Sequence, residues 1–175
     1  MFDNIKKDFK LYKRWSHSGF WVMMVYRLGN WCKTIRFGLF RSLMTKIYWL
    51  CYHFISTLTA VHLPRDTKFG ERFHLIHASS IIIHKKATFG DDVGIMHEVT
   101  IGSSGTYDAP KIGNGVFIAA GAKIVGDITI GDNCSIGANA VVVKDVPPNS
   151  LVVPQAVRII ENHQRKEWVP PSDKE

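Results

Sequence analysis

The chain has 175 residues, of which 46% are hydrophobic and 21% charged, and this composition excludes wholesale disorder. Its net charge of +7 comes from one end: residues 1–60 hold ten Lys and Arg against two Asp, whereas the rest of the chain holds twelve against thirteen acids. Because the larger part of the chain is close to neutral, we predict no nucleic-acid partner.

The first 60 residues are predicted to be helical, because large apolar residues recur there at steps of three and four, the period of one helix face. These residues are Leu39, Phe40, Leu43, Ile47, Leu50, Phe54 and Leu58. The same segment holds fourteen of the twenty aromatic residues. It is interpreted either as a helical cap that packs on its neighbour or as a membrane-surface element whose Lys and Arg lie near anionic lipid. The two interpretations are compatible.

From residue 61 to residue 160 the sequence repeats with a period of six. Aliphatic residues stand six apart without a break at Ile112, Ile118, Ile124, Ile130, Ile136 and Val142, and the same step links Ile83, Phe89, Ile95 and Ile101. Six residues do not return to the same face of an α-helix. The period instead suits a short strand followed by a turn, three of which make one triangular coil of a β-helix. Residues 161–175 remain as a C-terminal tail.

The repeat is interrupted twice. Its phase slips by two residues between Ile81 and Ile83, and by five between Ile101 and Ile112. The second slip predicts that Ser103–Lys111 leaves the coil as a loop, and loops on a rigid scaffold often carry function.

Five segments together resemble the hexapeptide-repeat acyltransferases, and within them the serine acetyltransferase-like branch. They are Leu75–Ala78, His97–Gly102, Pro110–Gly113, Ala119–Ala122 and Val142–Pro148. The short aromatic N-terminal segment looks more like acetyltransferases of exopolysaccharide clusters, such as those for colanic acid. The resemblance implies a mainly β fold, a left-handed parallel β-helix preceded by a short helical segment. It also implies a homotrimer that binds acetyl-CoA as co-substrate between neighbouring prisms.

Two histidines are the predicted catalytic residues. The resemblance implies that His77 is the general base, and an imidazole has a pKa suited to taking a hydroxyl proton near neutral pH. His97 stands twenty residues later, one coil plus the two-residue slip, so it is predicted to stack beside His77 about 4.8 Å away along the sheet. It is interpreted as a residue that binds the acceptor or the thioester carbonyl.

The chain departs from the serine enzymes at the residues around the acceptor. Where those enzymes have an orienting carboxylate this chain has His62, and Asp108 with Ala109 replaces an Arg-His pair suited to an amino-acid carboxylate. His62 and Asp108 are therefore predicted to bind an uncharged acceptor, a hydroxyl of a sugar or glycan in surface polysaccharide biosynthesis, with lipid-linked acceptors included. Serine acetylation in cysteine synthesis is the alternative. The residue that orients His77 is not identified; Asp92, Glu98 and Glu71 are candidates.

The predicted acetyl-CoA site uses small residues, because pantetheine must approach the backbone closely. Ala119–Ala120 and Gly137–Ala138 stand eighteen residues apart and should stack on successive coils. Gly102 and Ser103 open the loop where an oxyanion donor is expected. By resemblance, Lys144 and Arg158 are placed near the phosphates of CoA.

Two other classes remain as hypotheses. A zinc carbonic anhydrase of the γ type shares this fold and would need three converging histidines, such as His77, His97 and His84 or His74. The second is a non-catalytic β-helix scaffold. Neither the loop after Ile101 nor the spacing of the cysteines favours a metal site. Cys32, Cys51 and Cys134 are widely spaced and odd in number, which favours a reduced cytoplasmic protein. The membrane interpretation would place it at the inner face of the cell membrane, with residues 1–60 dispensable for acetyl transfer.

Overall fold

Three helices precede a β-helix in the computed structural model, which describes residues 2–13, 15–105 and 108–155. The helices are α1 (Phe2–Tyr12), α2 (Ser18–Thr34) and α3 (Gly38–Thr59). The predicted tail, 161–175, and the predicted phosphate ligand Arg158 lie outside the described residues. None of the described helices has an apolar stretch long enough to cross a membrane.

Twelve strands of two or three residues follow in the described part of the chain. They are β1 (His74–Leu75), β2 (Ile82–Ile83), β3 (Thr88–Phe89), β4 (Gly94–Ile95), β5 (Thr100–Gly102), β6 (Lys111–Ile112), β7 (Phe117–Ile118), β8 (Lys123–Val125), β9 (Thr129–Ile130), β10 (Ser135–Ile136), β11 (Val141–Val142) and β12 (Leu151–Val152). Such short strands follow from the hexad, which leaves only about two residues per side between turns.

From β1 to β11 every third strand joins the same sheet, β12 then pairs with β10, and all pairs are parallel. Sheet 1 has the order β1-β4-β7-β10-β12, sheet 2 has β2-β5-β8-β11, and sheet 3 has β3-β6-β9. The aliphatic hexad residues pair with one another, as in Leu75 with Ile95 and Ile95 with Ile118. They point inward and are almost completely buried. The coil predicted from the period is confirmed, and three parallel sheets around an aliphatic core fit the left-handed β-helix.

Both interruptions of the repeat appear in the structure. The long one lies between β5, which ends at Gly102, and β6, which begins at Lys111. The register of sheet 1 shows the same change, since Ile95 pairs with a residue 23 positions later, whereas Ile118 pairs with Ile136, 18 positions later. The extra residues therefore leave the coil without disturbing the pairing of the strands around them.

Helices α1 and α2 share one hydrophobic core with the β-helix. Phe20 and Met23 of α2 are fully buried in the same cluster as Leu75 and Ile95. The close approach depends on Gly19, because a Cβ atom there would lie 2.7 Å from the carbonyl oxygen of Leu75. The helical cap predicted from the sequence is therefore integral to the fold.

Side chains of the helical segment also bond to the backbone of the first coil, which has no coil before it. The hydroxyl of Tyr12 accepts the N–H of Leu75 at 2.9 Å, and the hydroxyl of Tyr26 donates to the carbonyl of Thr67 at 2.7 Å. The hydroxyl of Ser18 donates to the carbonyl of Ala78 at 3.3 Å. These bonds supply partners for backbone groups that a preceding strand would otherwise satisfy.

Candidate active site

The predicted site residues fall on two edges of the prism. The turns from sheet 1 to sheet 2 form what we call the histidine edge, which carries His77 after β1 and His97 after β4. The turns from sheet 2 to sheet 3 form the loop edge, which carries the excursion after β5. Sheet 2 separates the two edges within one chain.

His77 is an exposed corner residue. It follows β1 in the left-handed backbone region, with φ of +52°, and the next residue, Ala78, is buried in the core. Left-handed backbone is uncommon for a residue with a Cβ atom and is enriched at functional positions. A side chain held outward at such a corner is accessible to a substrate.

His97 lies on the next coil beside His77, as predicted. The centroids of the two imidazole rings are 6.3 Å apart and the rings are nearly perpendicular, at 71°. This distance between ring centroids exceeds the predicted strand spacing of about 4.8 Å. His97 is half-buried, and its Nδ1 atom is buried without a hydrogen-bond partner among the described residues. A buried nitrogen without a hydrogen-bond partner costs free energy, so the Nδ1 atom of His97 is available for a hydrogen bond to a ligand.

The structure adds a second histidine pair that the sequence did not predict. His17, in the turn before α2, lies 6.0 Å from His74 between ring centroids, and each ring is 5.0 Å from that of Tyr12. The Nδ1 atom of His17 is also buried without a partner in the described part of the chain. The contact is long-range, so no local pattern in the sequence could reveal it.

Burial favours the neutral form of both imidazoles in this second pair. Burial lowers the pKa of His17, and the nearby imidazole of His77 lowers it further. Burial also lowers the pKa of His74, with a further contribution from His17. The helical segment thus contributes an uncharged imidazole to the surroundings of His77.

None of the three acids considered as an orienting partner bonds to His77 within the described residues. Asp92 is paired with Arg72, which holds the pKa of that carboxyl below its usual range. Glu71 is paired with Lys7 at 2.9 Å. The structure records no bond between Glu98 and His77. Neighbouring imidazoles, rather than a carboxylate, surround the predicted base.

The two predicted acceptor residues are not brought together. His62 bridges to Ile82 in sheet 2, close to the histidine edge. Asp108 lies on the loop edge, in a cleft of about 520 Å³ whose lining also includes Asp66 and four lysines, among them Lys68 and Lys111. His77 does not line this cleft.

The predicted small-residue path is present along the histidine edge. The amide of Ala119 donates to the carbonyl of Ile136 at 2.9 Å, and the amide of Asn139 donates to Ala120 at 2.9 Å. Ala119–Ala120 and Gly137–Ala138 therefore stack on successive coils beside the histidines. Gly137 is also required by the fold, because a Cβ atom there would lie 2.8 Å from the carbonyl of Val152.

Three further predicted CoA residues, Gly102, Ser103 and Lys144, lie on the loop edge. A Cβ atom at Gly102 would meet nothing within 4 Å, so packing within the chain does not explain this glycine. Ser103 is half-buried and Lys144 is exposed. The open space at Gly102 is compatible with a bound molecule that passes close to the backbone.

The arrangement of histidines does not match a metal centre. The described residues contain no group of three or more His, Cys, Asp or Glu side chains placed to hold a metal ion. The Nδ1 atom of His84, one of the histidines considered for that role, accepts the backbone N–H of Lys86 at 3.3 Å.

Comparison with known proteins agrees with the fold. Residues 109–144 match the family model described as bacterial transferase hexapeptide (six repeats). The structure of a Brucella abortus serine acetyltransferase in complex with coenzyme A superposes with a TM-score of 0.68 at 29% identity, over 87% of this chain and 65% of that one.

Two curated relatives are also similar in sequence. The serine acetyltransferase of Helicobacter pylori is 31% identical over 82% of both chains. That of Mycobacterium tuberculosis is 43% identical over 63% of this chain and 50% of its own length. The chain thus spans about half the length of the Mycobacterium relative. The predictions of a sugar or glycan acceptor and of an exopolysaccharide-type enzyme are wrong, because these relatives are serine acetyltransferases.

Proposed function

The chain belongs to the serine acetyltransferase family of hexapeptide-repeat transferases, and we propose that it transfers the acetyl group of acetyl-CoA to the hydroxyl of serine. The observation that carries this proposal is the similarity to the Helicobacter pylori enzyme over 82% of both chains. The histidine pair on the prism edge supports it, because the reaction needs a base and no covalent enzyme intermediate.

We place His77 in the role of general base. Its imidazole takes the proton of the serine hydroxyl while the oxygen attacks the thioester carbonyl carbon. The tetrahedral intermediate then collapses, the C–S bond breaks, and the imidazolium returns the proton to the departing CoA sulfur. At the end His77 is neutral again, the acetyl group is on the serine oxygen, and the proton is on the sulfur of CoA. Its exposed corner position allows both substrates to reach it.

His97 and the small-residue path take supporting roles in this proposal. The unpartnered Nδ1 side of His97 is a hydrogen-bonding group next to the base. The stacked Ala119–Ala120 and Gly137–Ala138 give a bound pantetheine close access to backbone groups. Gly102 and Ser103, with open space beside them, suit the thioester end, and Lys144 suits a phosphate.

Two copies of the chain are needed for all these residues to surround one acetyl-CoA. Within one chain, sheet 2 lies between the histidine edge and the loop edge. If prisms associate side by side, the histidine edge of one copy can face the loop edge of the next. Three copies close such a ring, so we propose a homotrimer with three interfacial sites. The three free cysteines favour a reducing cytoplasm as its location.

The test is acetyl transfer by the full-length chain. Purified protein is incubated with acetyl-CoA and L-serine, and O-acetylserine is measured by mass spectrometry. Mass detection is preferred to thiol titration, because Cys32, Cys51 and Cys134 are free and would react with a thiol reagent. We expect product that depends on both substrates and is lost in His77→Asn. Absence of O-acetylserine, with acetyl transfer to another hydroxyl acceptor, would overturn the serine assignment.

A further inference from the structure

Helix α3 has one face that contacts the protein and one that does not. Its inner face buries Tyr48 and Ser56. Its outer face exposes a continuous apolar stripe, which we call the α3 stripe. The stripe consists of Leu39, Phe40, Leu43, Ile47, Leu50, Phe54 and Leu58.

The exposure of this stripe is high for residues of this size. Leu39 is 79% exposed, Leu50 73% and Phe54 66%. The residues recur at steps of three and four over 19 positions, so they form one line along the helix rather than scattered contacts. Soluble proteins rarely leave large continuous apolar patches in water, and such patches usually mark a contact surface.

The charges around α3 are positive and unneutralised, but within the helix only Lys46 lies beside the stripe. Arg36 precedes the helix, and Arg41 lies on the side of Tyr48, in a cleft with Cys32 and Lys33. Arg36, Arg41 and Lys46 are exposed, and none has an ion-pair partner in the described part of the chain. The sequence contains no Asp or Glu between Asp8 and Asp66. Two other cations of the helical segment are paired: Arg27 with Asp8, and Lys33 with Asp66.

We propose that the α3 stripe lies on the surface of a membrane that contains anionic lipids. An apolar helix face with cations around it is the arrangement that inserts into the headgroup boundary while the cations contact lipid phosphates. A second copy of the chain is a less suitable occupant, because it would add its own unneutralised Arg and Lys to a surface that has no acid. The proposal does not depend on the identity of the acetyl acceptor.

The test is flotation of the full-length chain with lipid vesicles. Vesicles of phosphatidylcholine alone are compared with vesicles in which one third of the lipid is phosphatidylglycerol, at 50 mM and 500 mM NaCl. We expect flotation with the anionic vesicles at low salt and at least a several-fold weaker partition at high salt, because salt screens the contribution of the cations. Failure to float with anionic vesicles at low salt would overturn the proposal.

Paired substitutions locate the contact on the molecule. Leu50→Asn with Phe54→Asn removes two of the most exposed apolar side chains and should lower the partition coefficient about tenfold or more. Trp21→Asn is the control, because Trp21 is 42% exposed but lies on α2, outside the stripe. The control should float like the parent chain. Equal flotation of the parent and the double variant would contradict the proposal.

A charge variant and particle size complete the test. Lys46→Gln should reduce binding to anionic vesicles only, whereas the matched change Lys111→Gln on the β-helix should have no effect. If Leu50→Asn with Phe54→Asn instead changes the molecular mass in solution and the parent does not float, the stripe is an interface between copies and the lipid proposal is wrong.

Discussion

His77 combines an exposed imidazole with a backbone conformation that few residues adopt easily. Asn tolerates this left-handed region but cannot act as a base, so His77→Asn separates chemistry from folding better than an alanine substitution does. We expect turnover to fall by roughly two to four orders of magnitude, while the dissociation constant of CoA stays nearly unchanged. Steady-state kinetics and calorimetric titration measure the two quantities. Turnover within a few-fold of the parent would remove His77 from the mechanism.

The histidine pair His17 and His74 predicts how stability depends on pH. Burial lowers the pKa of both imidazoles in the folded chain below the usual 6.5. As pH falls through about 6.5, the unfolded chain binds protons that the folded chain does not, so acid favours unfolding. We expect the free energy of unfolding to be lower at pH 5.5 than at pH 7.5 in urea titrations.

A matched pair of variants assigns this pH dependence. His74→Asn should flatten the slope of stability against pH below 6.5, because the variant has lost one group whose pKa differs between the two states. His53→Asn is the control, since His53 is exposed on α3. An unchanged slope in His74→Asn would show that other groups cause the acid sensitivity.

The sequence could predict only part of the candidate site. The spacing of twenty residues between His77 and His97 predicted that they lie side by side, because successive coils repeat at a fixed interval. His17 escaped prediction because its contact with His74 spans the junction of two different architectures. The prediction of a sugar acceptor from Asp108 and Ala109 was wrong, and the comparison with serine acetyltransferases, not a local pattern, overturned it.

At the scale of elements, the contact of α2 with β1 depends on the absence of a single side chain. Gly19→Ala would place a Cβ atom 2.7 Å from the carbonyl of Leu75 and 2.8 Å from the ring of Tyr12. We expect a loss of about 1–3 kcal/mol in the free energy of unfolding, because the backbone of β1 cannot yield without disturbing the first coil. Thermal and urea unfolding measure this loss.

Gly38→Ala provides the control for Gly19→Ala. Gly38 is also near the start of a helix, α3, but a Cβ atom there would meet nothing within 4 Å. This substitution should be neutral or slightly stabilising, because alanine has the higher helix propensity. If both substitutions cost the same, the effect belongs to helix starts in general, and the inferred contact with Leu75 is not the cause.

The strands and the helices differed in how far the sequence determined them. The hexad predicts the strands up to β11, and the structure confirms the coil from Leu75 to Val142; β12 lies beyond the repeat and was not predicted. The helical period of α3 was also visible. Its orientation was not, because the same stripe of Leu39, Leu50 and Phe54 could have faced the core, and only the structure shows that Tyr48 does so instead.

At the scale of the whole molecule, the flat outer faces of the prism suggest how copies associate. Several apolar side chains point outward from sheets 1 and 2, which flank the histidine edge. They are Ile82, Phe117, Val141, Val143, Leu151 and Val153. Parallel sheets are normally covered on both faces, so these surfaces favour association of prisms. We expect light scattering to return three times the chain mass of 19.8 kDa. A fully active monomer would exclude the interfacial site.

The bonds from Tyr12, Tyr26 and Ser18 to the first coil have a consequence for solubility. Removal of residues 1–60 would leave the backbone of the first coil unpaired, and unpaired parallel strands can pair with another chain. The last coil of a second prism has strands of the same spacing, so truncated chains would stack end to end into fibres. We expect the fragment 61–175 to sediment as polymers, whereas the full-length chain stays in solution. The helical segment would then act as a cap that prevents β-helices from polymerising end to end.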